Sequence, residues 1–219
     1  MTFRQRIIVA LLPLLLLLAA IGGTATVLIY RLGMRIDQIL RENYDSVVYM
    51  RDLNESLERI DSAFQFDLSN SQRDASAQYN ENWKLFNDNL AKEQKNITLP
   101  GEGELVAKLT QLRQKYLEQG EAFFSAPAAE RRELYFGTPQ QPGIYGTFGE
   151  IKNVASAILK INQDNMKDAD SEAKQLAHTS LVWYAAGLVL GVLLALVLLR
   201  RTVQTILYPI RAVTESAAA

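Results

Sequence analysis

IDQILRENYDSVVYMRDLNESLERIDSAF, residues 36–64, contains neither proline nor glycine, and its apolar residues fall three and four apart. Ile36, Ile39, Met50, Leu53, Leu57, Ile60 and Phe64 occupy the a and d positions of one heptad frame, and Asn43 and Ser46 fill the two remaining seam positions. That spacing puts a single apolar stripe along one side of a helix and leaves the charged residues on the other. Such a helix is stable only when the stripe is covered, so the stretch predicts an all-α fold in which further helices pack against it.

Downstream, the polar run SNSQRD, residues 69–74, ends this helix and offers Asp74 as the N-cap of the next. Residues 75–95 then carry Tyr79, Trp83, Phe86 and Leu90 spaced 4, 3 and 4 apart, a second amphipathic helix. Leu99-Pro100-Gly101 breaks it, and Glu102 and Glu104 suit the positive first turn of a third helix bearing Leu105, Leu109, Leu112, Tyr116 and Phe123. Pro127 separates a short helical piece ending near Phe136, and GTPQQPGIYG, residues 137–146, predicts an irregular connection. From Thr147 the helical pattern returns with Ile151, Val154, Ile158, Ile161, Asn165, Ala169, Ala173 and Leu176. Strand-like alternation is scarce, so an α/β sensor fold is the weaker alternative.

Both ends of this helical middle run into apolar stretches. Residues 7–29 hold 23 uncharged residues, and LVWYAAGLVLGVLLALVLL, residues 181–199, holds nineteen, followed at once by Arg200 and Arg201. At ~1.5 Å of rise per residue each crosses the hydrocarbon core of a bilayer as a helix. The first also reads as a cleaved secretory signal with Ala20-Ile21-Gly22 as its site, but the apolar run continues past that point, which favours an uncleaved anchor. Pro13 is tolerated in a membrane helix, and Gly22 and Gly23 mark a candidate close helix contact. Residues 31–180 carry 18 Lys and Arg against 23 Asp and Glu, a net charge of −5, whereas the outer segments carry five arginines against Glu215 alone, a net charge of +4. By the positive-inside bias both termini are cytoplasmic and the middle is extracytoplasmic. The expected organisation is therefore a cytoplasmic lead (1–6), a first transmembrane helix (7–29), an extracytoplasmic domain (30–180), a second transmembrane helix (181–199) and a basic cytoplasmic segment (200–219). Four amphipathic helices joined by short turns predict an antiparallel four-helix bundle whose first and last helices are continuous with the two transmembrane helices. Where those longer helices outrun the middle pair, they invite pairing with a second copy as a parallel homodimer.

Few residues are candidates for chemistry. The absence of cysteine excludes disulfides and thiol catalysis, and without a basic patch nucleic acid is not an expected partner. His178, the single histidine, lacks carboxylate or ligand companions at useful spacing and reads as an interfacial residue beside Trp183 and Tyr184; Tyr30 plays the same part at the other span. Phosphate-loop and nucleophile-elbow motifs are missing, so no catalytic, cofactor-binding or metal residue is assigned. Asn43, Ser46 and the run Asn162-Gln163-Asp164-Asn165 have two readings: inward-facing polar groups that form a ligand pocket or fix register, or a solvated face, since four consecutive residues cover every side of a helix. Arg51, Arg59 and Arg73 are candidates to hold a carboxylate ligand against the same solvated default. The ligand-binding residues stay unassigned.

At the basic end, Arg200-Arg201 and then Ile206-Leu207-Tyr208-Pro209-Ile210-Arg211-Ala212-Val213, with Ala217 following, resemble the entry of a HAMP linker. RENYDSVVYMRDLNESLERIDSAF (41–64), NITLPGEGELV (96–106) and ILKINQDNM (158–166) resemble the extracytoplasmic bundle of bacterial sensor histidine kinases and, more loosely, of methyl-accepting chemoreceptors. The resemblance implies a parallel homodimer in the cytoplasmic membrane, in contact with membrane lipid. It also implies an unknown extracytoplasmic ligand, and a sequence continuing beyond Ala219 into a kinase of a two-component system. ATP and a cytoplasmic response regulator are implied for that downstream kinase, with no cofactor in these residues. Pro209, Ile210 and Val213 become the signal-relay positions; the plain alternative for Pro209 is a helix stop. A chemoreceptor-type transducer and a non-signalling membrane tether are the other functional readings.

Overall fold

The computed structural model describes residues 3–69 and 75–204, and all but a small part of them is helical. Five helices are present among these residues: α1 (Phe3–Leu68), α2 (Ala75–Glu93), α3 (Glu102–Ser125), α4 (Ala128–Phe136) and α5 (Ile144–Thr202). Between α4 and α5 lies a two-stranded antiparallel pair, β1 (Gly137–Thr138) and β2 (Gln141–Pro142), with Gly137 opposite Pro142. The connection expected to be irregular is thus a tight hairpin. Gly137 sits at φ 77°, and a Cβ on it would collide with the backbone of Gln141 and Gly143, so glycine is what lets the hairpin close. α5 in turn starts at Ile144, three residues before the expected Thr147. Asp74, expected as an N-cap, lies outside the described residues.

The chain divides into two compact units, residues 37–169 and residues 1–36 with 170–219. In the first, one apolar core draws on all five helices: Met50, Leu53, Leu57, Ile60 and Phe64 from α1, Tyr79, Trp83, Phe86 and Leu90 from α2, Val106, Leu109, Leu112, Tyr116 and Phe123 from α3, Tyr135 from α4, and Ile151, Val154, Ala155 and Ile158 from α5. These are largely the stripes that the spacing marks. Their burial removes apolar area from water at roughly 25 cal/mol per Å², the dominant favourable contribution. On α3 the stripe enters one residue later than expected, with Val106 buried and Leu105 packed at its edge. The densest part is aromatic: the Phe64 ring stands edge-on to Tyr79 at 5.5 Å, Tyr116 at 5.9 Å and Phe123 at 5.0 Å between centroids. Gly120 allows the approach, because a Cβ there would strike the Tyr79 hydroxyl and come within 3.2 Å of Phe64.

The other unit is built from two apolar stretches long enough to cross a membrane. One covers Leu11–Met34 with mean hydropathy 2.3, and the other is a window of α5 with mean hydropathy 2.5. Large apolar side chains stand exposed along both, Leu15, Ile29, Leu188 and Val197 among them, and Trp183 is 73% exposed. Thr24 and Thr26 return their hydroxyls to the carbonyls of Ala20 and Gly22 at 2.8 and 2.9 Å, so neither presents an unpaired donor. The close approach of the two helices falls elsewhere than expected. Nothing lies within 4 Å of a Cβ placed on Gly22 or Gly23, whereas one on Gly187 would sit 3.0 Å from Ile21 and one on Gly191 3.7 Å from Leu17. Two glycines four apart present the smooth face that lets apolar helices meet.

Candidate functional site

The core of residues 37–169 changes character near those two boundary residues. There the seam that is apolar from Met50 onward becomes polar, with contributions from α1, α2, α3 and α5. α1 presents Asn43 and Ser46, α2 ends on Glu93, α3 begins on Glu102, and α5 presents Asn162, all of them buried.

Glu102 is fully paired. Its Oε2 accepts the backbone N–H groups of Thr98 and Leu99 at 2.7 and 3.0 Å, and its Oε1 accepts Asn162 Nδ2 at 2.6 Å. The first residue of a helix is also where the macrodipole favours negative charge. Three donors and a helix N-terminus satisfy this carboxyl group in a site without water exposure. Asn162 Nδ2 further reaches the Ile158 carbonyl at 3.0 Å, fixing the side chain on α5.

Glu93 is the opposite case. It is 0% exposed, and neither carboxyl oxygen has a hydrogen-bond partner among the described residues. Burial pushes its pKa up to about 7; the nearby Ser46 hydroxyl offsets part of this, and the adjacent Glu102 carboxyl adds to it. As the last residue of α2, Glu93 also faces the negative end of a helix dipole. Two adjacent carboxyl groups cannot both ionise cheaply in a low-dielectric site, which is why Glu102 adds to the upward shift of Glu93. Asn96 ties the turn after α2 to α1, donating from Nδ2 to the Glu42 carbonyl at 2.7 Å and to Ser46 Oγ at 2.9 Å. Asn43 Nδ2 and Asn162 Oδ1 are buried without a partner.

A second polar group lies some five turns along α1. Tyr135 of α4 donates its hydroxyl to both oxygens of buried Asp61 at 3.0 Å, and Gln65 donates to the same carboxylate at 2.7 Å. Burial raises the Asp61 pKa despite these donors, and burial followed by the Asp61 charge raises that of Tyr135. Arg131 clamps Asp67 through Nη1 at 2.8 Å to each oxygen while Nε donates to the Ala126 carbonyl at 3.0 Å. Both contacts pin α4 onto α1. Beside them a cleft of about 430 Å³ is lined by Gln119, Glu130, Glu133, Thr138 and Gln141 among others. It has no inward-facing buried charge to orient a ligand.

The structure gathers Asn43, Ser46 and Asn162 into one cluster, while Gln163 and Asp164 face solvent and Asn165 is half-buried. The frame expected on α5 placed Asn165 in the seam; Asn162, four residues after Ile158, holds that place instead. Arg51 and Arg59 are surface residues paired with Asp52 and Glu55 at 2.9 and 2.8 Å. His178 is exposed. Arg73, Pro209, Ile210 and Val213 lie outside the described residues. Glu93 carried an unread signal: the α2 spacing of 4, 3 and 4 continues by 3 from Leu90 to Glu93, which places a charge at a seam position. Comparison with protein-family models, with curated proteins and with solved structures found no match to this chain.

Proposed function

We propose that this chain is the sensory region of a bacterial membrane signal transducer. In this reading, residues 37–169 form an antiparallel four-helix bundle outside the cytoplasmic membrane, and α1 and α5 carry its state through the bilayer to a HAMP-like entry at Pro209, Ile210 and Val213. The observation that carries the proposal is the polar seam, where a buried carboxyl pair and three amides or hydroxyls come from four helices. A permanent anchor gains nothing from such a seam, because unpaired buried polar groups weaken packing. A two-state element gains a great deal, since the same groups pair differently in two helix arrangements of similar free energy. Support also comes from two membrane-length apolar stretches within the first and last helices, and from the basic residues that follow the second. The relay is a small shift of α5 against α1, with a coupling of about 1–3 kcal/mol sufficient.

The test needs no knowledge of the stimulus. The 219 residues replace the corresponding region of a bacterial sensor kinase with a transcriptional reporter, and Asn162→Leu makes the α5 contribution to the seam apolar. The proposal expects the variant to lock the reporter high or low relative to the unsubstituted chimera at equal membrane abundance. Identical output from the two, and from a chimera in which the bundle is deleted, assigns the chain to the tether class instead.

A further inference from the structure

We propose that the ligand of the polar seam is the proton: Glu93 and Glu102 share one hydrogen between the end of α2 and the start of α3, and its release outside the membrane repacks the seam. The inference deepens the transducer reading and rests on it for its biological meaning. It starts from hydrogen-bond bookkeeping. Glu102 receives three donors, while completely buried Glu93 receives none on either oxygen. An ionised carboxylate can only accept hydrogen bonds; a carboxylic acid carries a donor of its own. Protonation turns Glu93 from an orphan acceptor beside another acceptor into the donor that the pair lacks. A proton needs no cavity of its own to be held in a buried carboxyl pair. Burial and the Glu102 charge hold the Glu93 carboxyl at about 7, within the range an extracytoplasmic space can traverse.

Deprotonation places two negative charges in contact inside the core, and the structure answers by letting water in or by separating α2 from α3. Either answer is felt elsewhere. Glu102 is bonded to Asn162 on α5, and Ser46 on α1 is bonded to Asn96 of the turn between α2 and α3. Other charges face the same end: Tyr49 of α1, whose pKa is raised by burial and then by the charges of Asp45 and Glu93, and Lys92 of α2, whose Nζ stands 5.5 Å from the Tyr49 ring centroid. With its pKa raised above the ordinary 10, Tyr49 stays neutral through the neutral range.

The experiment uses the 219-residue chain in lipid nanodiscs, with no kinase attached. Infrared difference spectra between pH 5 and 9 follow protonated side-chain carboxyls, and spin labels at the exposed positions Tyr44→Cys and Asp164→Cys follow the α1 to α5 distance. The expected result is one carboxyl that titrates near neutrality, a distance distribution that shifts over the same interval, and loss of both changes in Glu93→Gln. Glu102→Gln, which removes the neighbouring charge, should move the midpoint to lower pH. If Glu93→Gln does not fold, the wild-type midpoint and its movement in Glu102→Gln still decide the matter. A titration without a change in distance, or no carboxyl titrating in this range, overturns the proposal. Because no output is measured, a positive result here with an unresponsive reporter chimera removes the transducer reading and leaves the proton site standing.

Discussion

Asp61 shows at the scale of one side chain why a polar group persists in this core. Its carboxylate accepts Tyr135 and Gln65 yet is still raised in pKa by burial, so the two donors compensate only part of what leaving water costs. Tyr135→Phe removes the buried donor and should destabilise residues 37–169 by about 1–3 kcal/mol. The loss should be larger at a pH above the raised Asp61 pKa, where the carboxylate needs the bond, than in acid, where the group is protonated. Urea titration followed by Trp83 fluorescence in a Trp183→Phe background measures it; an equal loss at both pH values would show that the bond does not stabilise the anion. Glu93 is shifted in the same direction, without the donors that Asp61 has. Its folded pKa lies above the ordinary 4.5, so its contribution to stability is complete below pH 4.5 and is lost as pH rises towards 7. Glu93→Gln should therefore be the more stable protein at pH 8. This level was only half legible: Asn43 and Ser46 stand out in a heptad frame, whereas an unpaired acid is identified only once four helices have been brought together.

The helices themselves were readable because their apolar residues recur at 3.6-residue spacing, and proline and glycine punctuate them. Tyr79, Trp83, Phe86 and Leu90 are buried as their spacing requires, and the break at Leu99-Pro100-Gly101 falls where α3 is about to begin. What failed was phase over long runs. On α5 the expected frame drifted by the time it reached residue 162, because an ideal helix and a heptad differ by about 20° per seven residues. The hairpin at residues 137–142 was unread because its two-residue strands leave no alternation to detect, and Gly187 was unread because a glycine in an apolar run declares no partner. α2 and α3 meet through Gly120, so Gly120→Ala should push the Tyr79 ring from Phe64 and cost about 1–3 kcal/mol in the same urea titration. A neutral substitution would mean that the aromatic cluster repacks without strain.

At the scale of the molecule, the two proposals join a proton-loaded seam to a membrane relay. Two apolar stretches of membrane length were legible in the sequence, whereas the pairing of Glu93 with Glu102 was not, because residues nine apart on different helices leave no motif. The central claim is that α5 transmits as one rigid element. Insertion of two glycines after His178 breaks the helical phase and stiffness while leaving the apolar stretch of residues 181–199 intact. The decisive measurement is the reporter output of the chimera, with and without this insertion, across external pH 5–8. The account predicts a pH-dependent output that the insertion abolishes at unchanged membrane abundance. A response of undiminished size in the inserted protein would contradict it, since the signal would then be travelling by another route.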